Sequence, residues 1–113
     1  RKTFAVADQI RLALEPLDQL IDLAFIYGSI ARGSDTQSSD IDLMLVGNDL
    51  SYADVVEVLL PLEEMLQRSI NPTLFDKEDF IAKLNADSSF LTRVMEQPKI
   101  LIKGDEHDIG ETG

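Results

Sequence analysis

The chain has 113 residues, no cysteine and a formal net charge of −11, from 10 Lys and Arg against 21 Asp and Glu. That length suits a single domain able to bury about two-thirds of its unfolded surface. The charge argues against non-specific nucleic-acid binding, which needs basic side chains to neutralise phosphates; the lack of thiols excludes disulfides and thiolate metal sites.

No run of residues is apolar for long enough to cross a membrane, and the opening RKTFAVADQI lacks the apolar core of a secretory leader. A cytoplasmic protein is therefore expected. The sequence starts at Arg1 without a methionine, so it is expected to be a piece of something longer, with residues 1–113 forming one domain. The charge is unevenly spread: between Leu12 and Gln67 there are eleven acids and one base, Arg32.

Taken in order, residues 3–14 place Phe4, Ala7, Ile10, Arg11 and Leu14 at helical spacing, and Pro16 ends or bends that helix. Residues 21–27 are rich in β-branched and aromatic side chains and read as a buried strand. Residues 29–32 suit one helical turn closed by Gly33, and 33–39 form a loop. Residues 40–46 are a second strand, ended by Gly47 and Asn48. Residues 51–67 are a helix with Ser51 and Asp54 at capping-box spacing, a face of Val55, Leu59, Leu62 and Leu66, and a local bend at Pro61.

Residues 69–75 return to strand, where Pro72 points to an edge position or an irregular start. Asp76 and Asp79 start a helix leading into Phe80, Ile81 and Leu84. A last helix follows Asp87 or Ser88, packs Phe90, Leu91, Val94 and Met95, and stops before Pro98. Residues 99–103 are a final strand, and residues 104–113 an acidic tail expected to fray. The sum is an α/β (α+β) domain, a small mixed sheet of about four strands with helices mainly on one face.

The chemistry concentrates in residues 27–46, YGSIARGSDTQSSDIDLMLV. Side chains alternate along a strand, so Asp40 and Asp42 point one way and Ile41, Leu43 and Leu45 the other. If the apolar set faces the helices, the two carboxylates stand on the open face at the strand's start. Like charges so close repel unless a cation joins them, and Mg²⁺ (or Mn²⁺) is the natural one, shared between carboxylates and substrate phosphates. Gly28 lets a phosphate approach the backbone, the Ser29 hydroxyl can donate to it, and Arg32 can reach back with its planar donor fork. Each feature alone has an ordinary explanation: a strand-to-turn exit, a solvated arginine, a loop-closing aspartate. Tyr27 reads as a core aromatic and His107 as a surface histidine.

Gly28-Ser29, ten residues, then Asp40-x-Asp42 between two strands resembles the signature of the DNA polymerase β-like nucleotidyltransferase superfamily, in its minimal nucleotidyltransferase branch. NPTLF, DKEDFIAKL, SSFLTRVMEQPKILIKGDE and KTFAVADQIRLAL also resemble a subgroup in which the domain follows a helix-turn-helix regulator. The resemblance implies binding of a nucleoside triphosphate with Mg²⁺ and nucleotidyl transfer to a hydroxyl acceptor (protein, RNA or small molecule), releasing pyrophosphate. By position, Gly28 and Ser29 would hold the triphosphate, and Asp40 and Asp42 the metal ions.

Active members carry a third acid on a neighbouring strand. Here Ser69, Asn71 and Thr73 share the corresponding face, and none is a carboxylate; Asn71 could give a neutral oxygen ligand. Three readings follow: a working transferase; a nucleotide-binding regulatory domain with weak or no catalysis, joined to a DNA-binding domain; or an antitoxin-like partner of a HEPN-type toxin.

Overall fold

Five consecutive residues, Leu23–Tyr27, are all buried, so this strand (β1) must be covered on both faces and flanked on both edges. In the computed structural model, which describes residues 2–28, 31, 40–86 and 89–104, that is where it lies. The sheet order is β3-β2-β1-β4, with β2 at Ile41–Val46, β3 at Ile70–Phe75 and β4 at Ile100–Lys103. β1 runs antiparallel to β2 and β4, while β2 and β3 are parallel. A parallel pair needs a crossover, and helix α2 (Tyr52–Leu66) supplies it. Each strand expected from the sequence forms, starting one or two residues later than expected. Pro72 sits on edge strand β3, where a missing N–H is tolerated.

Helix α1 (Lys2–Ala13) turns the apolar stripe Val6, Ala7 and Ile10 onto the sheet. It stops before a 3₁₀ segment, Glu15–Leu20, which the sequence pattern did not announce and which carries Pro16 in its first turn. Arg11 Nε donates to the Ile102 carbonyl (3.0 Å), tying α1 to β4. In α2 the Ser51 hydroxyl accepts from the Asp54 N–H (3.4 Å), and Val55, Leu59 and Leu62 are the buried face. These helices pack against Ala24, Ile26, Ile41, Leu43 and Leu45 to make one core layer.

The other face has its own core. Helices α3 (Lys77–Asn85) and α4 (Ser89–Glu96) bring Phe80, Leu91 and Val94 onto Leu23, Phe25, Tyr27, Met44 and Val46. The two longer helices do share one face, but the expectation of an open second face is corrected: β1 is apolar at every position, and its Leu23-Phe25-Tyr27 side needs its own cover. Gly47 follows β2 where a Cβ would run into the Leu20 carbonyl oxygen, so only glycine fits that crossing. Among the described residues no helix is long and apolar enough to cross a membrane.

Candidate functional site

The register of β1, β2 and β3 decides which side chains meet. Tyr27 lies opposite Asp42 across the antiparallel pair, and Asp42 lies level with Asn71 across the parallel one. Paired positions share a face, so Tyr27, Asp42 and Asn71 stand together, with Asp40 and Thr73 two residues away along their strands. Along β2 the same face runs Val46, Met44, Asp42, Asp40. The first two are buried under α3 and α4, Asp42 is half-buried and Asp40 exposed. The carboxylates thus occupy the uncovered end of an otherwise covered face.

Asn71 Nδ2 donates to Asp40 Oδ2 at 3.1 Å, bridging the two parallel strands at this end. The hydroxyls of Tyr27 and Thr73 are hydrogen-bonded at 3.4 Å. Burial pushes the Tyr27 phenol above its ordinary 10.0; the Thr73 hydrogen bond opposes this, and the negative charge of Asp42 adds to the rise. Gly28 follows with φ +83°, and a methyl group at its Cα would overlap Asp42 Oδ2. The backbone there passes close over the carboxylate only because no side chain intervenes.

Of the sequence-predicted residues, the structure brings together Gly28, Asp40, Asp42 and Asn71. Ser29 and Arg32 lie outside the described residues, as do most of the helical turn at 29–32, the loop 33–39, His107 and the tail from residue 105. Among the described residues no group of three His, Cys, Asp or Glu comes together. The place level with Asp42 on β3 holds the neutral Asn71. Two carboxylates and an amide, all hard oxygen donors on one edge, fit a Mg²⁺ ion that shares its coordination with phosphate oxygens. Thr73 and Phe90 also adjoin this corner. The ring of Phe90 meets Tyr27 edge-on, 6.3 Å between centroids and 75° between planes. That is a tertiary contact, and helical periodicity had assigned Phe90 to the core.

Residues 10–107 match the sequence profile of the family described as polymerase beta, nucleotidyltransferase. A Methanocaldococcus jannaschii protein, provisionally assigned as a protein adenylyltransferase, is 34% identical over 76 residues, covering 67% of this chain and 73% of the relative. The fold superposes on a crystal structure of a toxin–antitoxin with AMP-PNP (TM-score 0.62, 20% identity, 90% of this chain and 76% of that one). It also superposes on one chain of a structure of a tri-AMPylated Shewanella oneidensis HEPN toxin in complex with MNT antitoxin (TM-score 0.57, 19% identity, 94% of this chain and 76% of that one). At those identities the structural likeness is one of fold.

Proposed function

We propose that this chain, which belongs to the polymerase beta nucleotidyltransferase family, transfers AMP from ATP to a hydroxyl group on a protein. The observation that carries the reading is the polar corner itself: Asp40, Asp42 and Asn71 on one face beside a glycine that only a bare backbone could occupy. The choice of a protein acceptor and of adenylate is supported by the assigned role of the M. jannaschii relative and by the AMPylated toxin held in one structural neighbour.

In the proposed reaction the acceptor oxygen bonds to the α-phosphorus and the bond to the α,β-bridging oxygen breaks. Pyrophosphate leaves, and the hydroxyl proton is lost to water. Asp40 and Asp42 would hold Mg²⁺ (or Mn²⁺), which when bound neutralises charge on the phosphate oxygens. Gly28 lets the triphosphate lie against the backbone, with Ser29 and Arg32 as further donors to it. Asn71 holds the Asp40 carboxylate in place and adds no charge of its own. A cytoplasmic setting goes with a triphosphate substrate, and a separate or fused DNA-binding domain is compatible with this chain supplying only the nucleotide site.

A second reading has its own support. With Asn71 neutral, the described residues of the site include two carboxylates where three would hold a second cation more firmly, so nucleotide binding with slow transfer fits a regulatory domain or an antitoxin.

The test is incubation with ATP labelled at the α-phosphate, Mg²⁺ and candidate acceptor proteins, including a HEPN-type toxin. Label should appear on the acceptor and fall at least about a hundredfold in rate when Asp40→Asn and Asp42→Asn are combined. Equal labelling by wild type and double variant would refute the assignment of the site. Mg²⁺-dependent ATP binding without any label would select the regulatory reading.

A further inference from the structure

We infer that Phe90 is the platform on which the nucleobase stacks, an inference that rests on the nucleotide reading above. Helix α4 buries Leu91 and Val94 completely or nearly so, yet Phe90 beside them is 39% exposed. Its ring is held through an edge-on contact with Tyr27. Tyr27 is the last residue of β1 and lies directly opposite Asp42. Phe90 therefore stands where the helical cover of the second face stops and the polar corner begins.

Opposite residues in an antiparallel pair have Cα atoms about 4.5–5.5 Å apart, so Tyr27 links the exposed ring to the strand position that carries Asp42. A partly exposed aromatic ring on the far side of Tyr27 from residues that would hold phosphate and a cation matches a ligand with a polyanionic end and an aromatic end. That ligand is a nucleotide. Tyr27 is fixed from below by Thr73 and flanked on its own strand by Phe25, with 6.1 Å between ring centroids. The platform is thus supported by a row of rings and is not left to a mobile side chain. Stacking tolerates any base, since every base has a π-face, so Phe90 contributes affinity for nucleotides as a class and the choice of base falls to other groups.

Calorimetric titration with ATP and with inorganic tripolyphosphate, both with Mg²⁺, separates the two ends of the ligand. Phe90→Ala should weaken ATP binding about tenfold and leave tripolyphosphate binding as in wild type. Phe90→Trp keeps the packing and gives a chain with no other tryptophan a single fluorophore. ATP should quench it and tripolyphosphate should not. Equal loss of both ligands in Phe90→Ala would overturn the inference, because the residue would then only support the fold. Unchanged ATP affinity with slower transfer would overturn it too, assigning Phe90 to the acceptor. If wild type binds tripolyphosphate no more weakly than ATP, the platform fails while the phosphate grip stands. If it binds neither, the nucleotide reading itself fails.

Discussion

At Gly28 two demands coincide: a positive φ of +83° and a place where any Cβ would overlap the Asp42 carboxylate. Gly28→Ala should therefore act twice. It should cost about 1–2 kcal/mol of stability from the left-handed backbone alone, read as a lower urea midpoint. It should also move Asp42 and weaken Mg²⁺-dependent ATP binding beyond what that loss of stability explains. A variant with wild-type affinity would mean that the glycine serves the turn and not the site. Tyr27 provides a pH-dependent signature of the same corner. Its phenol holds its proton more tightly in the folded chain than in the unfolded one. Its contribution to stability is therefore complete below the ordinary value of 10.0 and is lost as pH climbs through the higher folded value. Wild type should lose more stability than Tyr27→Phe between about pH 8 and about pH 11, measured by urea denaturation at each pH. An identical loss would place Tyr27 in a better-solvated setting than the structure gives it.

Among the elements, α3 depends most on one side chain. Phe80 is its one buried residue, fully covered and with its ring 5.8 Å from that of Phe75 on β3. Phe80→Ala should cost about 3–5 kcal/mol, the usual range for emptying a buried aromatic site, out of a total of about 5–15 kcal/mol for a domain. A cost below about 1 kcal/mol would show that the second face closes without α3. The elements themselves were readable because each is locally consistent. Period-2 or wholly apolar runs gave the strands, Ser51 began α2, and Pro16 and Pro98 marked stops. Residues 15–20 escaped because a 3₁₀ turn has no hydrophobic period of its own. The open second face was misjudged because Phe80, Leu91 and Val94 look like any helical stripe, and a one-dimensional pattern does not say which side of a sheet a stripe covers.

On the scale of the whole molecule, the site was legible where its residues are close in sequence and hidden where the register makes it. Gly28, Asp40 and Asp42 could be found from spacing and alternation, and Asn71 from the strand face it shares with Ser69 and Thr73; what the sequence did not show was the pairing that joins them. That Asn71 lies level with Asp42 and bonds to Asp40 follows from a parallel pairing across a fifteen-residue helix. That Phe90 adjoins Tyr27 follows from α4 folding back over β1. The corner is assembled from four separate stretches of chain, and its claim to bind a nucleotide through a divalent cation is the centre of the account. Calorimetric titration of ATP, with Mg²⁺ and with chelator, into wild type and the Asp40→Asn, Asp42→Asn double variant tests it most directly. The prediction is binding that requires Mg²⁺ in wild type and is lost in the double variant while the fold, followed by circular dichroism, is kept. Equal affinity in all four titrations would contradict it.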